Sequence, residues 1–100
     1  MSHQPSTFQP TCSIAALQAR ATLYQKIRQF FAERQVMEVE TPTLSQAGAT
    51  DLHLASIPVQ RRIHGKLSTQ YLQTSPEFPM KRLLASGSGA IYQICKVFRD

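Results

Sequence analysis

One hundred residues carry eleven Lys and Arg against six Asp and Glu, a net charge of +5, and 42% of them are apolar. That is the size of one small domain with a modest core, and too apolar a composition for a disordered chain. The charge suits an anionic partner or a solvated basic surface. Arg61-Arg62 and Lys81-Arg82 are the only adjacent basic pairs, so no nucleic-acid-binding tail is legible.

The chain opens on "MSHQPSTFQPTCS", a Pro-, Ser- and Thr-containing stretch that reads as a flexible arm over residues 1–13. It lacks the basic-then-apolar order of a signal peptide, and no apolar run approaches membrane-spanning length, which makes the cytoplasm the default compartment. From Ile14 to Arg34 no Gly or Pro interrupts the chain. Leu23, Tyr24, Ile27, Phe30 and Phe31 recur at the three-and-four spacing of one helical face, which predicts an amphipathic helix.

The period then shortens. "VMEVET" alternates Met37, Val39 and Thr41 with Val36, Glu38 and Glu40, the pattern of a strand that Pro42 ends or confines to an edge. "TLSQAGATD" reads as a loop turning at Gly48, and "LHLASIPV" as a further strand. A turn near Gly65 and a returning strand at about residues 70–74 make a hairpin. Pro76 suits the first position of a helix reaching Ala85, and Pro79 is tolerated in its first turn, where its missing N–H has no intrahelical partner. Gly87 and Gly89 end that helix, and "AIYQICKVFRD" alternates as a last strand. Its face of Ile91, Gln93, Cys95 and Val97 finishes on Arg99, a residue out of place for packing alone.

Cys12 and Cys95, and the histidines at positions 3, 53 and 64, are too scattered for a metal site. His53 fits a structural role, and Cys95 a small packed residue. "GSG" at 87–89 lacks the lysine and spacing of a phosphate-binding loop. Glu77 has two readings. It favours the helix start electrostatically, with Thr74 or Ser75 as N-cap, or it accepts hydrogen bonds from a substrate ammonium group. The two roles are compatible.

"RQFFAERQVMEVETPTLSQAG" resembles motif 1 of the class II aminoacyl-tRNA synthetases, a long helix and a strand closed by a proline, here Pro42. "VFRD" is similar to the opening of their motif 2, and "QTSPEFPMKRLL" to the amino-acid-binding stretch of the lysine and aspartate group. Within that class, "EVETP", "TDLHL" and "TSPE" followed by "MKRLL" look like the short lysyl-tRNA-synthetase-like group that attaches (R)-β-lysine to elongation factor P. A lysyl-tRNA synthetase would carry an anticodon-binding domain before motif 1, where only the short arm stands. The resemblance implies an α/β (α+β) fold, the N-terminal part of a catalytic domain over residues 14–100, with flanking helices on an antiparallel sheet.

It also implies a reaction. A lysine or β-lysine carboxylate attacks the α-phosphate of ATP, with Mg2+ expected, and the activated amino acid passes to a lysine of elongation factor P rather than to tRNA. Arg99 is the implied catalytic residue, because a guanidinium bridges carboxylate and phosphate oxygens and stays charged. Ser75, Pro76 and Glu77 are the implied amino-acid-binding residues, Arg99 and Asp100 face ATP, and motif 1 around Met37, Val39 and Pro42 builds a homodimer. Gln35 stands where glycine is usual in the family, and Asp100 where asparagine is common. The remainder of motif 2 and all of motif 3 would lie beyond Asp100, so the resemblance implies an N-terminal piece holding half an active site. Two other readings stay open: a lysyl-tRNA synthetase fragment, and a non-catalytic dimerisation module derived from the same family.

Overall fold

The computed structural model describes residues 8–46 and 56–100. The expected turn at Gly48, the start of the "LHLASIPV" strand, His3, His53 and the first part of the N-terminal arm lie outside them. The described chain runs α1 (Ile14–Glu33), β1 (Met37–Glu38), β2 (Leu44–Ser45), β3 (Pro58–Ile63), β4 (Lys66–Leu72), α2 (Glu77–Ala85) and β5 (Ile91–Tyr92). The fold is therefore mixed α/β, with two helices and an antiparallel sheet, as the sequence implies.

Helix α1 starts where its chemistry says it should. The Ser13 hydroxyl accepts from the Ala16 N–H at 3.1 Å and so caps one of the amides that have no partner within the helix. At the other end the Val36 N–H reaches back to the Phe31 carbonyl at 3.0 Å and the Gln35 N–H to that of Ala32 at 3.2 Å. This is the paired bonding of a left-handed helix terminus, and Gln35 adopts it with φ of 58°. Helix α2 closes identically, with Ser88 bonded to Leu83 and Gly87 to Leu84. There the left-handed residue is Gly87, φ 91°, which bears no side chain to strain.

Strands β3 and β4 form the hairpin, registered from Ile63 opposite Lys66 to Pro58 opposite Tyr71. His64 and Gly65, both at positive φ, make its two-residue turn. β2 pairs antiparallel with the other side of β4, giving the order β2-β4-β3. Pro58 is thus on an edge strand, where the lack of an N–H costs no ladder bond.

Several expected elements are shorter or displaced. The 36–41 strand contracts to β1, and the stretch expected to be wholly loop contains β2. The last strand contracts to β5, so Arg99 follows an irregular segment rather than a strand end. β1 and β5 pair parallel, Met37 with Ile91 and Glu38 with Tyr92, beside the antiparallel sheet. Pro76 is the N-cap of α2 instead of its first residue, and no side chain caps that helix, which removes Thr74 and Ser75 from the capping role.

The larger correction concerns the core. No apolar side chain among the described residues is buried; Gln73 is the only buried residue, at 9% exposure. The chain exposes 8525 Å2, against about 5,700 Å2 for a compact protein of its mass. On α1, Tyr24, Ile27 and Phe31 are half-buried, while Leu23 and Phe30 of the same stripe are exposed. Phe31 stacks on Tyr92 at 4.2 Å, which fastens α1 to β5. Such an open arrangement forgoes most of the apolar burial that stabilises a domain.

Candidate active site

The end of β4 is where separate segments meet. Gln73 follows that strand, and its main chain and side chain bind on three sides. Its N–H donates to the Thr43 carbonyl at 2.9 Å, its carbonyl accepts from the Phe98 N–H at 2.8 Å, and its Nε2 donates to the Lys96 carbonyl at 2.9 Å. The side-chain Oε1 is buried and has no hydrogen-bond partner. Gln73 therefore joins the lead-in to β2, the end of β4 and the segment before Arg99.

A second polar clasp lies alongside. The Gln93 Oε1 accepts from the Thr41 N–H and hydroxyl, each at 3.2 Å, and the Gln93 Nε2 is 3.0 Å from the same hydroxyl. It prolongs the β1–β5 pairing, in which the Met37 N–H donates to Ala90 and the Val39 N–H to Tyr92. Between the two clasps lies an open groove of about 320 Å3, lined by Glu40, Thr41, Thr43, Gln73, Gln93, Ile94, Cys95, Lys96 and Phe98. None of the residues expected to bind substrate lines it.

Those residues stand at two places tied to Gln73, one next to it in the chain and the other next to a segment that it bonds. Ser75 follows Gln73 and Thr74, Pro76 caps α2 and Glu77 begins it, and Arg99 and Asp100 follow Phe98, whose amide is tied to Gln73. Arg99 is exposed, and its side chain makes no ion pair or hydrogen bond among the described residues. Its guanidinium is thus available to an anion. Glu77 is exposed too, and its carboxylate meets Lys81 one turn on at 2.8 Å. An exposed pair at that spacing is worth about 0.3–0.5 kcal/mol, so a substrate ammonium group can displace the lysine at little cost. Cys95 is exposed on the groove rather than packed.

Arg28 on α1 pairs with Glu38 on β1 at 3.1 Å. Tyr92 lies beside that pair. Partial burial, then the Glu38 carboxylate, push its phenol pKa above the ordinary 10.0, while Arg28 pulls the other way and hydrogen bonding to Glu38 adds to the rise. Sequence reading missed Gln73, Gln93 and Thr41. The signal available was small: glutamines at the inner ends of two strand-like stretches, where an apolar residue would be expected.

A helix ended by a left-handed cap, a strand and proline, an antiparallel hairpin, a helix opened by Ser-Pro-Glu and an arginine on the following segment together have the layout of class II synthetase motifs 1 and 2. Residues 9–100 match the family model of the class II tRNA synthetases (D, K and N), and the chain belongs to that family. Among curated proteins it is similar to elongation factor P (R)-β-lysine ligases. It is 53% identical over 95 residues to that of Avibacterium paragallinarum, covering 93% of this chain and 30% of that protein. The figures are 56% over 93 residues for that of Pseudoalteromonas translucida (91% and 29%) and 55% over 97 residues for that of Vibrio cholerae (95% and 30%). The chain spans about 30% of the length of these relatives.

Proposed function

We propose that these residues supply part of the active site of a cytoplasmic ATP-dependent ligase, which activates a lysine-type amino acid as its adenylate and transfers it to a lysine of elongation factor P. The observation that carries this reading is the 53–56% identity, over 91–95% of the chain, to proteins named for that ligation. Arg99, exposed and without an ion pair among the described residues, supports it, because adenylation brings a carboxylate to the α-phosphate and a guanidinium relieves the repulsion of the two anions. Glu77 receives an ammonium group of α-lysine or β-lysine, and the free amides at the start of α2, beside Ser75 and Pro76, face polar atoms of the same substrate. Asp100 stands next to Arg99 on the ATP side. The described residues gather no group of three His, Cys, Asp or Glu side chains suited to a metal ion. Mg2+ is commonly held by one or two carboxylates together with the phosphates of the nucleotide. The β1 region around Met37, Val39 and Pro42 forms a homodimer contact.

Exchange of labelled pyrophosphate into ATP, driven by lysine or (R)-β-lysine, tests the reading in the whole enzyme. Arg99→Ala lowers the exchange rate by about two to three powers of ten, the effect of losing a major charge partner in the transition state. Glu77→Gln weakens amino-acid binding more than ATP binding. An unchanged rate in Arg99→Ala removes Arg99 from the site. Transfer to tRNA in place of elongation factor P returns the chain to lysyl-tRNA synthetase.

A further inference from the structure

We infer that Gln73 is the positioning residue that sets Arg99 against Glu77, by clamping the segment before the arginine onto the strand end that leads into α2. The inference rests on the proposed ligase reading and extends it to a residue which that reading does not use.

The geometry is specific. Gln73 is the one buried residue among those described, and three of its four main-chain and side-chain amide groups reach other segments. Two of those bonds, to the Lys96 carbonyl and from the Phe98 N–H, hold the residues immediately before Arg99. Strand pairing does not replace them, because β5 ends at Tyr92. The same residue precedes Thr74, Ser75, Pro76 and Glu77, so a shift of Gln73 moves both halves of the candidate site.

The side chain has only one useful orientation. With Nε2 toward Lys96 it donates a hydrogen bond; flipped, its Oε1 would oppose a carbonyl oxygen and the NH2 would be buried without a partner. The orientation it adopts leaves Oε1 buried and unsatisfied, a desolvation cost that no hydrogen bond offsets. An apolar residue of the same volume would avoid that cost. The glutamine therefore contributes placement of the 96–98 segment rather than net stability.

The test compares the whole enzyme with its Gln73→Met variant, which keeps the volume, removes the unsatisfied oxygen and lacks the donor to Lys96. Pyrophosphate exchange, thermal unfolding and hydrogen exchange at the Phe98 amide are measured together. Expected are a kcat for lysine-dependent exchange lower by about ten- to a hundred-fold, as for a misplaced catalytic group, a KM for lysine within about twofold, an unchanged or raised Tm, and faster hydrogen exchange at Phe98. A kcat within about twofold of the parent overturns the inference, as does a loss of kcat accompanied by a matching loss of Tm. Should Gln73→Met fail to fold, Gln73→Glu takes its place. Its buried carboxyl can donate to Lys96 only when protonated, so its rate relative to the parent rises as pH falls from about 8 to about 6, and a flat ratio overturns the inference. A parent enzyme without exchange activity removes the ligase reading instead. The clamp is then judged by hydrogen exchange alone, and unchanged protection of Phe98 in the variant overturns it.

Discussion

Replacing Gln35 by glycine should stabilise the protein. Gln35 occupies the left-handed position that ends α1, φ 58°, held there by the Val36-to-Phe31 and Gln35-to-Ala32 hydrogen bonds. An L-residue in that conformation carries about 1–2 kcal/mol of crowding between Cβ and the neighbouring carbonyl. Glycine removes it, and gives back about 0.5–1 kcal/mol through the greater freedom of the unfolded chain. The net gain is about 0.5–1 kcal/mol, or roughly 1–4 °C in Tm for a protein of moderate size. Gln35→Ala is the control, since alanine keeps the Cβ and should unfold with the parent. Gln35→Val should be worse than either, because a β-branched side chain is least tolerant of positive φ. Scanning calorimetry or urea unfolding, followed by the helical circular-dichroism signal, measures all three. If Gln35→Gly unfolds at or below the Gln35→Ala midpoint, the left-handed cap is not strained by its side chain and the reasoning fails.

Tyr92 has a phenol pKa raised above 10.0, chiefly by partial burial. The protonated form is thus favoured in the folded state, so its contribution is fully present below pH 10 and is lost as pH climbs through the raised value. The unfolding midpoint of the parent should fall more steeply in that alkaline range than that of Tyr92→Phe, and parallel curves would contradict the assignment. Met37, 53% exposed on β1, should be part of a twofold contact, so Met37→Asp gives monomers by light scattering; a parent monomeric at high concentration argues against the contact. Residues 1–100 expressed alone should show a broad thermal transition, bind a hydrophobic dye and catalyse no lysine-dependent pyrophosphate exchange, because no apolar side chain among the described residues is buried. A sharp, cooperative transition would contradict so open an arrangement.

The elements legible in the sequence are those governed by neighbours a few residues apart. An uninterrupted apolar period of three and four predicts α1. Gly65 marks the hairpin turn, Pro76 and Pro79 the opening of α2, and Gly87 its close. Each is a local steric or hydrogen-bonding rule that the chain obeys whatever surrounds it. The left-handed Gln35 is legible too, though only by comparison with the glycine usual in the family. Arg99, at the end of an alternating stretch, and Glu77, beside a helix start, stand out locally, while their roles and those of Ser75 and Pro76 come from motif order.

Tertiary structure alone decided what depends on partners far along the chain. Alternation from Val36 to Thr41 and from Ala90 to Asp100 describes two long strands, yet only Met37–Glu38 and Ile91–Tyr92 pair, in parallel. A strand needs a neighbour at matching register, and alternation specifies a face without naming the neighbour or its direction. That no apolar side chain among the described residues is buried was equally illegible: composition counts apolar residues, whereas burial depends on which surfaces close over them. Gln73 shows the same division most sharply. In sequence it is a polar residue at the end of a strand, and it becomes the buried junction of three segments only because the carbonyls of Thr43 and Lys96 and the amide of Phe98 arrive there from elsewhere in the chain.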